Sequence, residues 1–82
     1  MPVELDGFAF EKSTRKHKKY QVRVGNKRVH FGDNRYGQYH DKIGLYRNLD
    51  HNDDVRRNHY YARHGIDAVL YSPRWFSHHF LW

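Results

Sequence analysis

Between Tyr20 and Phe31 apolar and polar positions alternate on both sides of a two-residue break. Tyr20-Gln-Val-Arg-Val leads into Gly25-Asn26, and Lys27-Arg-Val-His-Phe follows. A period of two predicts half-buried strands, and a glycine-first pair between them predicts a tight hairpin turn. The register follows from the turn: Val24 faces Lys27, Arg23 faces Arg28, Val22 faces Val29, Gln21 faces His30 and Tyr20 faces Phe31. One face then carries Tyr20, Val22, Val24, Val29 and Phe31. The other carries Gln21, Arg23, Arg28 and His30, with Lys19 in line. A slip of one residue would exchange the two faces.

The remaining pattern is less regular. Phe8-Ala9-Phe10 is a short apolar patch suited to a further strand. Lys12 to Lys19 is polar and basic, as in a loop. Gly32 to Asn48 has no period, and Tyr36, Tyr39, Ile43, Leu45 and Tyr46 are its means of pinning to a core. A helix follows, with Asp50 or Asn52 as cap, Asp53 and Asp54 near its positive end and Gly65 as its stop. At 100° per residue Val55, His59 and Ala62 share one face, the expected core side. Arg56, Tyr60, Arg63 and His64 share another, with Arg57 close by. Ile66 to Tyr71 is a short apolar connection or strand. Ser72-Pro73 opens a last helix, Ser as cap and Pro in the first turn. The expected fold is a small α+β domain spanning residues 1–82. Its hairpin, open to a third strand, packs on two short helices, and residues 1–19 form a basic N-terminal arm or loop.

Charge changes this picture. Lys12 to Arg28 holds eight Lys/Arg and no acid, while the rest of the chain sets seven Lys/Arg against nine Asp/Glu. The net charge of +6 is thus one basic block on a slightly acidic body. Such a block meets an anion or bears its own repulsion. Arg23 opposite Arg28 is a like-charge pair costing a few tenths of a kcal/mol up to ~1. Lys12, Arg15, Lys16, Lys18, Lys19, Arg23 and Arg28 are therefore candidate contacts to phosphate or to an acidic protein. Arg56, Arg57, Tyr60 and Arg63 form a second, basic-aromatic stripe of the same kind. Its alternative is Arg56 and Arg57 paired with Asp50, Asp53 or Asp54 on a solvated face.

Composition adds limits. Eighty-two residues make one small core, and much of the apolar content is aromatic, with seven Tyr, five Phe and two Trp. There is no Cys, so no disulfide staples the fold. No apolar run reaches the length of a membrane span, and the acidic start of the chain is unlike a secretory leader. Eight His invite a metal, but His59 and His64 lie about 140° apart on a helix and His78-His79 diverge, so no ligand set is expected. Asp50-His51 with Asn58-His59 has the residue types of a ββα-metal nuclease without its strand-loop-helix spacing. Ser13, Ser72 and Ser77 lack a nucleophile elbow, and no phosphate loop is present. The expectation is a protein that is not an enzyme and takes no cofactor.

A set of motifs carries a resemblance. Lys18-Lys19-Tyr20, Val29-His30-Phe31-Gly32-Asp33 and Tyr36-Gly37-Gln38-Tyr39 come in order. Leu49-Asp50-His51-Asn52-Asp53, Arg56-Arg57, Tyr60 and Arg63-His64-Gly65 follow, then Ser72-Pro73-Arg74-Trp75-Phe76-Ser77 and Leu81-Trp82. Over about Lys18 to Trp82 the chain resembles a family of small basic proteins encoded by large double-stranded DNA viruses of algae and protists, with looser relatives in tailed phages. No activity is established for that family. The resemblance implies a virus particle, or the host cell interior during assembly, and a structural or packaging role. It also implies an ion-pair network among Asp33, Asp50, His51, Asp53 and His64, with Arg63 or Arg56 against Asp33 or Asp50 as a buried pair. Trp75, Phe76, Phe80 and Trp82 are expected as aromatic anchors, Trp75, Phe76 and Trp82 packing on the hairpin. The first functional expectation is a minor capsid or cement component bound between larger virion proteins. The alternatives are a nucleic-acid-binding protein organising viral DNA and an accessory subunit of a viral enzyme complex. Oligomeric state stays open.

Overall fold

The computed structural model describes residues 2–82. Its frame is a four-stranded antiparallel sheet in sequential order: β1 (Val3–Leu5), β2 (Phe8–Lys12), β3 (Lys18–Val24) and β4 (Lys27–Asp33). A long irregular segment with a 3-10 turn at Arg47–Leu49 leads to α1 (Asp54–His64) and α2 (Pro73–Phe80). The β3–β4 register is the one the alternation dictates, from Tyr20 opposite Phe31 to Val24 opposite Lys27. Gly25 takes φ +59 in the turn between them.

The segment expected as a basic arm is largely sheet. Val3 pairs with Phe10 and Leu5 with Phe8, and Phe10 in turn pairs with Val22. Asp6 and Gly7 both take positive φ, +54 and +84, as a two-residue turn of right-handed strands requires. Only the stretch between Lys12 and Lys18 is loop, and it is tied down. Ser13 N donates to the Lys19 carbonyl at 3.0 Å. Ser13 Oγ meets His30 Nδ1 at 2.7 Å, and Thr14 N and Oγ1 both donate to Gln21 Oε1. The loop thus covers Gln21 and His30 on the outer face of the sheet, leaving both buried.

The inner face carries the core: Phe10, Tyr20, Val22 and Phe31 against Ile43, Phe76, Phe80 and Leu81, all buried. Aromatic rings fill most of it. Phe31 stacks on Phe76 with centroids 5.4 Å apart, and Phe10 tilts against Phe80 at 4.7 Å. Aromatic pairs of this kind contribute ~0.5–1.5 kcal/mol each beyond area burial, which compensates for scarce Leu and Ile. Phe76 thus packs on the hairpin as expected, and Phe80 joins it in the core. Ser72 caps α2 by accepting from Trp75 N, with Pro73 in the first turn.

Helix α1 departs from the expected orientation. Its cap is Asp53, whose carboxylate accepts from Val55 N and Arg56 N, rather than Asp50 or Asn52. Val55 and Ala62, expected on the core side, are exposed, and the single buried residue is Tyr60. A flat ring decides the face: Tyr60 stacks on Trp82 at 4.2 Å and 8°, and its hydroxyl meets His78 Nδ1 at 2.9 Å. Two small aliphatic side chains on the far side offer less area. Trp82 thus stacks on α1 while also bordering the core cluster, and Trp75 packs edge-on to Phe8. Residues 66–71 form no strand; Ile66, Val69 and Leu70 are 81, 79 and 63 % exposed. Among the described residues no helix is long and apolar enough to cross a membrane.

Candidate functional site

Two sets of charged groups behave in opposite ways. The first is acidic and internal. Tyr20 points from β3 under the irregular segment and donates its hydroxyl to Asp41 at 2.5 Å while accepting from Leu45 N at 2.9 Å. Asp41 is fully buried and also accepts from Ile43 N and Tyr46 N at 2.9 and 2.8 Å. Asp50 accepts from Asp41 N at 2.8 Å and from Gln38 Nε2 at 2.6 Å, with His40 Nδ1 3.2 Å away. Neutral donors hold these carboxylates, and the hydrogen bonds replace the water they lose. Burial and the hydrogen bond to Asp41 push the Tyr20 phenol well above its usual range.

The expected ion-pair network is absent from this interior. Asp33 accepts two bonds from the Arg35 guanidinium, at 2.7 and 3.0 Å, and one from its backbone N at 2.9 Å, on the surface. That pairing holds its carboxyl down at about 2. Asp53 caps α1 and lies 3.7 Å from Arg56. His51 Nδ1 accepts from Asp53 N at 3.0 Å, and its ring tilts against Trp82. His64 lies against the Tyr60 ring at 4.6 Å. Neither Arg56 nor Arg63 reaches Asp33 or Asp50 within 4 Å; the interior takes neutral donors because a buried guanidinium would need to be desolvated too.

The second set is basic and open. Among the described residues, only Arg35 and Arg56 of the fifteen Lys/Arg hold a side-chain carboxylate within 4 Å. Two more are occupied by rings. Lys12 lies over Tyr46 at 5.2 Å, and Arg57 sits over Tyr39 and Tyr61 while its Nε donates to the Trp82 carbonyl at 2.7 Å. Arg57 is therefore a strut between α1 and Trp82, not the partner of Asp50, Asp53 or Asp54. Arg15, Lys16, Arg23 and Arg28 stay exposed on the outer face of the sheet. His30 reports their convergence: burial, then Arg15, Arg28 and Lys18, hold its pKa below the ordinary value.

A groove beside α1 gathers Lys18, Lys19, Arg63 and Arg74 together with Arg56. Its larger arm runs beside α1 past His51, Arg56, His59 and Arg63. Tyr36, Gly37, Arg63 and Trp82 are shared with a second cavity of about 630 Å³. That cavity lies between the ends of β3 and β4, the C-terminal half of α1 and the start of α2, and it takes in Lys18, Lys19 and Arg74. Tyr36 is 65 % exposed at its rim. Arg74 was not named as a contact in the sequence, and Tyr36, expected to pin the irregular segment to the core, is exposed instead. Ser72-Pro73-Arg74 reads as a helix start, and only the fold turns that start toward Arg63.

Lys19 corrects the sequence expectation most sharply. It is 2 % exposed and cannot meet a large partner at the surface. Gly32, opposite it with φ +77, makes this burial feasible. A Cβ there would come within 2.9 Å of Leu81 and 3.1 Å of the Lys19 stem. Burial pushes the Lys19 ammonium down to about 8 against the pull of Asp41, Asp33 and Asp50.

Among the described residues no group of three or more His, Cys, Asp or Glu could hold a metal ion. Comparison with known protein families, with curated proteins and with solved structures finds no match to this chain.

Proposed function

We propose that the chain is a non-enzymatic nucleic-acid-binding protein that contacts the phosphate backbone through its two basic surfaces. One is the outer sheet face with Arg15, Lys16, Arg23 and Arg28. The other is the groove beside α1 with Arg56, Arg63 and Arg74. The observation that carries this reading is the division of charge. The buried acids are consumed inside by neutral donors, so most cations are left with no carboxylate. Exposed Tyr36 at the groove rim adds a ring on which a base can stack. Viral DNA is the polymer that the resemblance to a viral protein family implies.

Fluorescence anisotropy with single- and double-stranded DNA across a salt series tests this. Affinity should fall steeply with salt, with a slope of about 0.7–0.9 per phosphate neutralised. No binding at low salt would sink the reading. A second reading, a minor capsid component seated between larger virion proteins, is favoured by exposed Ile66, Val69 and Leu70. It requires the protein in purified particles at a fixed ratio to the shell protein, and mass spectrometry of particles that lack it removes that reading.

A further inference from the structure

The cavity at the end of the groove differs from the surfaces around it. Lys18, exposed, and Lys19, buried, enter from β3, Arg63 and His64 from α1, and Arg74 from the first turn of α2. Asp33 is the one carboxylate on its wall, and both its oxygens are already held by Arg35. The positive groups face each other closely enough to act on one another. After burial, Arg63 and Arg74 are what hold the His64 pKa below its ordinary value. Among the described residues the Lys19 ammonium makes no hydrogen bond or salt bridge; Asp41, Asp33 and Asp50 attract it from beyond contact distance, and its Nζ is not wholly closed off from solvent. A charge that burial destabilises gains from a direct partner. A bound anion on the cavity floor would supply one.

Depth sets the kind of anion. A phosphodiester continues on both sides and stays at the rim, where Lys18, Arg63 and Arg74 are exposed. Only a small terminal group can descend to a lysine that is 2 % exposed. Several cations from three elements suit a dianion better than a carboxylate. We propose that this cavity binds a phosphomonoester, with Lys19 at its floor and Arg63 and Arg74 on its walls. The phosphate comes from the end of a nucleic-acid strand or from a free nucleotide. The strand-end case rests on the nucleic-acid reading above; the pocket itself does not.

The test is anisotropy at fixed ionic strength with one single-stranded oligonucleotide in three forms: 5′-phosphorylated, 3′-phosphorylated and unphosphorylated. A nucleoside monophosphate, its nucleoside and inorganic phosphate serve as competitors. One phosphorylated form should bind about tenfold tighter than the unphosphorylated strand. The monophosphate should compete where the nucleoside does not. If all three strands bind equally and the monophosphate does not compete, the pocket is overturned and the backbone interface survives. If no strand binds but the monophosphate and phosphate shift amide resonances of Lys19, Gly32 and Arg74, the pocket stands with a free phosphate as its source and the nucleic-acid reading fails. If nothing binds, both fail. Lys19→Met should abolish the preference for the phosphorylated form and leave the melting temperature equal or higher. Arg74→Gln, at an exposed position, should reduce the preference to near unity. A preference that survives in Arg74→Gln overturns the site even if Lys19→Met does not fold.

Discussion

The interior around Asp41 and the outer face around Arg28 invite comparison because both are dense in charge and they use it differently. Asp41 receives three donors and gives up all its water, so its charge fixes the chain from Tyr20 to Tyr46. Arg28 faces Arg23 across the sheet, has no carboxylate, and keeps its water. The first arrangement is complete without a partner. The second is stable only because solvent and salt screen it. A small domain with a thin aliphatic core invests its acids in holding a loop. It thereby leaves its bases unbalanced on the outside, and folding and binding share one set of charges.

Removing the buried carboxylate is the strongest way to break this comparison. Asp41→Ala leaves the Tyr20 hydroxyl and the amides of Ile43 and Tyr46 without an acceptor. The expected loss is about 3–5 kcal/mol in urea unfolding. A loss below about 1 kcal/mol would mean that water reaches those donors and that the interior is no anchor. Trp82→Ala comes next. The side chain is only half-buried, but its ring covers Tyr60 and its carbonyl accepts from Arg57. About 2–3 kcal/mol should go with the ring. Amide exchange should rise in α1 more than in the sheet, and uniform loosening would contradict the separate seating of that helix.

How far the chain announced this division depends on the period of each segment. The hairpin was legible down to its register because alternation and a glycine-first turn agree. Phe8-Ala9-Phe10 was legible as a further strand, but β1 and the Asp6-Gly7 turn that joins it to that strand were concealed by an acidic start and a basic run that read as an arm. The loop around Asp41 was not legible. Its order comes from Tyr20, twenty-one residues away, and no local pattern encodes that contact. Helix α1 was placed correctly and turned wrongly, since periodicity ranks Val55 and Ala62 above a tyrosine whose partner is the last residue of the chain. The candidate site suffered in the same way. Lys19 counted among surface cations because sequence shows its charge and not Gly32 beneath its stem. Arg74 went unnoticed because it meets Arg63 only after both helices dock.

Acid sharpens the comparison by titrating the histidines that lie at both regions. Burial holds the pKa values of His30, His51, His64 and His78 below the ordinary 6.5, so each is bound in its neutral form. The unfolded chain takes up protons first as pH falls. The stabilisation is therefore full above about 6.5 and is lost as pH falls toward the lower folded values. Asp33 adds a second decline between its ordinary 3.8 and about 2. Thermal scans should show the melting temperature falling from pH 7 to pH 5. A flat or rising profile there would show that these rings are open to water.

The smallest effect tests the outer face directly. Arg28→Ala removes a like-charge cross-strand neighbour of Arg23, and it should stabilise the fold by a few tenths of a kcal/mol, up to ~1. The same change should lower the salt slope of DNA binding by about one phosphate's worth and weaken affinity regardless of sequence. The two measurements are expected to move in opposite directions, as they do when a residue is kept for a partner against the interest of the fold. Lost stability with unchanged binding would instead make Arg28 a structural residue, with its charge satisfied by the sheet. The contrast with Asp41 would then collapse, because both regions would be spending charge on the same thing.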